Sequence, residues 1–204
     1  MRIGIDFDNT LVNYDKIFKS IAQKMGLADT GNAKAMIKTH FLGIDNGISQ
    51  WKELQALVYG EYIKDAYFLP DFIDFYNFAR ENHIDLFIIS YKTEYGFTTT
   101  GKISLHKAAN SWIESEINFF PRENIYFEPT MTKKILRIKS LNLNAHIDDL
   151  ISVFKHRSFP SNIKRVLFST QTNKIEKKEV GKFKCIKNWS EAIEMIGKHQ
   201  NILS

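Results

Sequence analysis

The chain has a single cysteine, Cys185. No disulfide can close within it, so an oxidising compartment offers it no covalent staple. Long apolar runs are also missing. Stretches such as "LFII" at Leu86 to Ile89 fall far short of the roughly 20 residues that cross a bilayer. The opening "MRIGIDFDN" has no charged region followed by an apolar one, so no signal peptide is expected. Together these absences lead us to expect a cytoplasmic protein with no membrane partner. Internal repeats and low-complexity segments are absent too.

Net charge is +5, with the excess in the last third: Lys164, Arg165, Lys174, Lys177, Lys178, Lys182, Lys184 and Lys187. No aromatic-interleaved basic motif accompanies them. We read this as a solvated face, not a nucleic-acid footprint; its mild positive field favours a small anionic substrate. The hydrophobic fraction of 44% and the 16 Phe, 8 Tyr and 3 Trp provide for a sizeable core. A chain of 204 residues makes one domain, or one domain with a modest insertion.

Short, apolar, partly β-branched segments predict strands at 2–7, 85–89, 125–128, 145–147, 165–168 and 183–186. Helical periods lie between them. Phe72, Phe75, Tyr76 and Ala79 share a face, as do Leu105, Ala108, Ala109, Trp112 and Ile113. Trp189, Ala192, Ile193 and Ile196 make a closing helix, with Asn188 or Ser190 as N-cap. Strands alternating with helices imply a parallel sheet with right-handed crossovers.

One interval breaks the rhythm. Roughly eighty residues separate the first two strands, far more than one crossover helix needs. Ile17, Phe18, Ile21, Ala22 and Met25 share a helical face there, ended by Gly26; Trp51, Leu54, Leu57, Val58 and Tyr62 share another. A fresh helix starts near Pro70. We therefore expect an α/β protein with a doubly wound, Rossmann-like parallel sheet and helices on both faces. A small α-helical cap follows its first strand: residues 1–14 and 69–204 form the core, and 15–68 the cap.

In open α/β sheets, ligands bind beyond the carboxyl ends of the strands. The first strand runs into Asp6-Phe7-Asp8-Asn9-Thr10. Alternation along it puts Arg2, Gly4, Asp6 and Asp8 on one side. Two carboxylates so close repel, and a hard divalent metal relieves them; a pair of turn aspartates is the plainer alternative. The second strand ends in Ser90, followed by Tyr91. Lys133 and Lys134 sit in the first turn of a helix expected over 132–141, where the macrodipole disfavours cations. An anion bound at the sheet's edge, or simple solvation, accounts for them. The fourth strand ends in Asp148-Asp149, a second acidic pair that also reads as an N-cap. The sheet brings all these distant residues to one edge.

These residues resemble the haloacid dehalogenase superfamily of phosphohydrolases. Asp6-Phe7-Asp8-Asn9-Thr10-Leu11 matches its first motif in full, Ser90 its second, a lysine its third, and Asp148 with Asp149 its fourth. Lys134 fits the third motif better than Lys133, and residues 15–68 occupy the slot of the family's helical cap. One departure is that Ser152 and Val153 stand where many members carry a further acid.

The resemblance implies a phosphatase for a small phosphorylated substrate, with Mg²⁺ as cofactor. Asp6 is then the nucleophile and Asp8 the acid and base. Asp6, Asp8 (through its backbone carbonyl), Asp148 and Asp149 form the metal set, and Asn9, Thr10, Ser90, Tyr91 and Lys134 the substrate-binding set. The acid at Asp8 argues for an oxygen leaving group, hence a phosphate ester. No Schiff-base step by a cap lysine such as Lys52 is indicated. Substrate choice is expected in the cap, where Trp51, Gln55 and Tyr59 face the site or form cap core. A long loop over 91–103 and His106 in the next helix are the other candidates. Two other readings stand beside this one: a receiver-like phospho-acceptor switch, and a phosphatase acting on nucleic-acid ends. Monomer and homodimer are both open.

Overall fold

Six apolar segments form one parallel sheet in the computed structural model, which describes residues 1–27, 34–117, 119–169 and 183–200. The strands are β1 (Arg2–Ile5), β2 (Asp85–Tyr91), β3 (Ile125–Glu128), β4 (Ala145–Asp148), β5 (Lys164–Phe168) and β6 (Lys184–Ile186). Their order is β6-β5-β4-β1-β2-β3, all neighbours parallel. Such strands are buried on both faces, which is why they read as near-continuous apolar runs. Phe87, Ile89 and Leu167 pack on one face with Ile135, Ile138, Val153 and Phe154, from helices Met131–Ser140 and Ile151–Phe154. On the other face Phe168 meets Trp189, which also packs on Phe72 and Phe75, from helices Trp189–Gln200 and Phe72–Glu81. Asn188 caps the closing helix by accepting from the Glu191 N–H at 2.9 Å. Lys174, Lys177, Lys178 and Lys182 of the basic third lie outside the described residues.

The strand order reverses at β1. From β1 the chain adds β2 and β3 on one side, then β4, β5 and β6 on the other. This is the Rossmann order, and its ligand crevice lies between the two strands flanking the reversal, β1 and β4.

The first strand is shorter than expected. It stops at Ile5, although the Asp6 N–H still donates to the Ile147 carbonyl at 2.9 Å. A tight turn follows. The Phe7 carbonyl accepts from the N–H groups of Leu11 at 3.1 Å and Val12 at 3.0 Å. Asn9 takes a left-handed φ of 61°, which asparagine tolerates better than most residues. Strand alternation therefore reaches Asp6 but not Asp8, which sits in the turn.

The chain divides into two compact units. The sheet unit comprises Met1–Val12, Phe68–Tyr91 and Arg122–Ser204; the second comprises Asn13–Tyr67 and Lys92–Pro121. The helical segment expected over 15–68 is thus only part of its unit. The segment after β2, read from the sequence as a loop over 91–103 and a crossover helix, joins it. Its first part is a hairpin, Tyr95–Thr98 paired with Gly101–Ser104, and its helix spans Leu105–Glu116.

The hairpin lies close on helix Gly47–Ala56: a Cβ on Gly96 would fall 2.6 Å from that of Ala56, so only glycine fits. Thr99, at the hairpin's tip, donates its N–H and its hydroxyl to Glu53, each at 2.8 Å. The core of this unit is aromatic. Phe18, from helix Asp15–Lys24, stacks on Trp51 at 5.5 Å, and Tyr14 and Phe18 meet Tyr59 edge-on at 4.9 and 5.6 Å. Among the described residues, no helix is long and apolar enough to cross a membrane.

Candidate functional site

Register builds the site. Ile5 of β1 lies opposite Ile147 of β4, so the next residues, Asp6 and Asp148, leave the sheet side by side. Neighbouring strands are about 4.8 Å apart, which makes their carboxylates neighbours. Asp149 joins them: one carboxylate oxygen from each of Asp6, Asp148 and Asp149 lies within 4.8 Å of the others. Lys134 enters from helix Met131–Ser140, which begins one residue before the expected 132. The Thr130 hydroxyl caps it by accepting from the Lys133 N–H at 3.1 Å. That cap fixes the first turn so that Lys134 is fully buried while Lys133 is exposed. The Lys134 ammonium donates to Asp6 Oδ1 at 2.5 Å and to Asp148 Oδ2 at 2.6 Å.

Burial sets the charge states. It pushes the Asp6 carboxyl from its ordinary 3.8 up to about 7; Asp148 and Asp8 add to the rise and Lys134 opposes it. Burial alone would lower the Lys134 ammonium, but the two carboxylates override it and hold its pKa above the ordinary value. Asp148 is held below the carboxylate range: burial works against this, and Lys134 and His146 outweigh burial. Lys134 thus pairs with Asp6 and Asp148, and an Asp149 carboxylate oxygen lies close to theirs. A cluster of hard oxygen donors suits a hard divalent cation.

Asp8 and Asn9 are half-buried in the turn after Asp6, and the Asp8 carboxylate is not one of the three that converge. Thr10 is fully buried. Its carbonyl accepts from the Trp189 indole N–H at 3.2 Å, and its hydroxyl has no hydrogen-bond partner among the described residues. Ser90 is buried inside β2, one residue before its exposed end, Tyr91. Ser152 is exposed and Val153 packs in the apolar cluster, so neither adds an acid. Among the specificity candidates, Trp51 and Tyr59 belong to the core of the second unit, Gln55 is half-buried and Lys52 is exposed. His106 Nε2 lies 2.8 Å from the Lys92 carbonyl, so its ring ties down the chain entering the hairpin.

Two contributors escaped the sequence reading. Trp189 looked like an ordinary core residue, yet its N–H anchors the Asp6–Val12 turn from the last helix. His146 is fully buried with Nε2 3.1 Å from Asp148 Oδ2. Alternation in "AHIDD" was the available signal, since it puts His146 and Asp148 on one side of β4.

No protein-family model and no curated protein matches the chain. Solved structures do. The chain has the fold of haloacid dehalogenase superfamily hydrolases, a doubly wound α/β architecture. It is similar to a phosphoserine phosphohydrolase-like protein from Francisella tularensis, with 14% identity and a TM-score of 0.59, covering 96% of this chain and 99% of that one. A conserved haloacid dehalogenase-like protein from Agrobacterium tumefaciens gives 11% identity and a TM-score of 0.60, with 98% of each chain covered. A predicted phosphoglycolate phosphatase from Haemophilus somnus gives 10% identity and a TM-score of 0.58, covering 95% and 96%.

Proposed function

We propose that this chain is a Mg²⁺-dependent phosphatase that hydrolyses a small, soluble phosphate monoester through an aspartyl-phosphate. The observation that carries the reading is the cluster of buried Asp6, Asp148 and Lys134 with half-buried Asp149 at the strand-order reversal. Fold neighbours described as phosphoserine phosphohydrolase-like and as a predicted phosphoglycolate phosphatase support the substrate class.

Asp6 attacks phosphorus in line and displaces the alcohol, splitting one hard step into two. Asp8 gives a proton to the leaving oxygen, then takes one from the water that cleaves the acyl-phosphate. Lys134 and Ser90 hold the phosphoryl oxygens as charge moves onto them, and the left-handed turn at Asn9 aims the loop. Asp6, Asp148, Asp149 and the Asp8 carbonyl would hold Mg²⁺, whose charge keeps Asp6 ionised and offsets that of the phosphoryl group. Tyr91, at the exposed end of β2, contributes to substrate binding.

The test is turnover of an aryl phosphate with Mg²⁺ by the wild type and by Asp6→Asn. The wild type is expected to turn over and the variant is not. Equal rates would remove Asp6 as nucleophile.

A further inference from the structure

We infer that His146 is a positioning residue: its Nε2–H fixes the Asp148 carboxylate so that one acceptor site of Asp148 is left aimed at the cation. The inference rests on the metal-dependent reading above and deepens it.

The argument starts from the acceptor capacity of Asp148. An ionised carboxylate offers about four lone-pair sites and no donor. Three are taken. Oδ1 accepts from the Leu150 N–H at 2.9 Å, and Oδ2 accepts from Lys134 at 2.6 Å and faces His146 Nε2 at 3.1 Å. Because Asp148 can only accept, the imidazole must carry its proton on Nε2. The carboxylate is then held at both oxygens by three donors from three places: its own following turn, a helix and its own strand.

The ring is held in turn. Gly4 lies opposite His146 in the sheet, and a Cβ at Gly4 would fall 2.6 Å from His146 Nδ1 and 2.6 Å from Leu143 Cδ1. Glycine at this position of β1 makes the space the imidazole occupies. Phe154 closes it edge-on at 6.3 Å. A valine or isoleucine would fill an inner strand position without a polar group to satisfy. A fully enclosed imidazole that donates to a ligating carboxylate is the arrangement by which supporting residues orient metal ligands.

The experiment measures Mn²⁺ binding to the full chain by electron paramagnetic resonance of the free ion. It compares the wild type with H146L, which fills the space without a donor, and H146Q, which returns an N–H near the Nε2 position. Loss of such a partner weakens metal binding by about 10- to 100-fold. H146L should therefore bind Mn²⁺ about tenfold or more weakly, and H146Q should recover most of the affinity. The metal-free melting temperature of H146L should stay near that of the wild type, because an apolar side chain replaces the ring.

Wild-type affinity in H146L overturns the inference and leaves the metal site standing. No Mn²⁺ binding by the wild type overturns both. Mn²⁺ binding that depends on His146 without phosphate-ester turnover upholds the inference and removes the phosphatase. If H146L fails to fold, ¹⁵N-histidine spectra of the wild type decide: a slowly exchanging Nε2–H supports the inference, and an Nδ1–H tautomer overturns it.

Discussion

The two units solve the burial of charge in opposite ways. In the sheet unit, Lys134 is fully enclosed and neutralised by the carboxylates of Asp6 and Asp148. In the second unit, cations lie over aromatic rings. The Lys92 ammonium is 4.7 Å and the Lys34 ammonium 5.2 Å from the centre of the Tyr59 ring, and Lys34 also donates to its hydroxyl at 2.5 Å. A carboxylate site can change its charge state and hold a metal. The face of an aromatic ring attracts a cation through a fixed quadrupole, which does not titrate.

The largest expected effect breaks the charge network at its centre. Asp6→Asn should lower phosphate-ester turnover by about 10³-fold or more, because it removes the proposed nucleophile. Lys134→Ala leaves two buried carboxylates without their ammonium. Removing one partner of a buried ion pair costs about 3–5 kcal/mol, so urea unfolding of the metal-free protein should show a loss of that size. A loss below about 1 kcal/mol would mean that the cluster is far more hydrated than its enclosure indicates.

The same contrast explains what could be read from the sequence. All six strands were legible, because strands buried on both faces must be short apolar runs, and Asp6, Ser90 and Asp148 were read from their ends; between Lys133 and Lys134 only the family resemblance chose, because both stand in the same first turn of helix Met131–Ser140. Asp8 was misread as continuing the strand, since nothing in "DFDNT" by itself tells a strand from a turn entered through a left-handed Asn9. The segment Lys92–Pro121 was assigned to the sheet because helix Leu105–Glu116 has an ordinary crossover pattern. Its true packing is set by Gly96 against Ala56, a contact forty residues apart that no local period reports. His146 was overlooked for a related reason: its partner is two residues away, but its space is made by Gly4.

The pH dependence sharpens the contrast further. Asp6 titrates near 7 in the fold against an ordinary 3.8. Between those values the native state holds a proton that the unfolded chain has lost, so the stability of the metal-free protein falls as pH rises from about 4 to about 7. Asp148 has the opposite sign: its depressed pKa stabilises the fold above the ordinary carboxylate range, and that contribution is lost as pH falls through it. Asp6→Asn removes only the first effect. In EDTA its melting temperature should rise above that of the wild type as pH increases, flatten past 7, and reflect about 4 kcal/mol. A gap independent of pH would show that Asp6 is ionised throughout.

The smallest expected effect lies in the second unit. Tyr59→Phe keeps the ring under Lys34 and Lys92 and deletes the hydroxyl that Lys34 donates to. The ring's negative face, the source of the cation attraction, survives the change. Tyr59 is buried, yet Lys34 is only half-buried and water can take over its lost bond. The cost should be about 0.5–1.5 kcal/mol, well under that of Lys134→Ala, and it should not vary between pH 4 and 8 because no titrating group has been removed. A cost equal to that of Lys134→Ala, or one that follows the Asp6 titration, would break the contrast. The cations of the second unit would then be held by charge, as in the sheet, and not by rings.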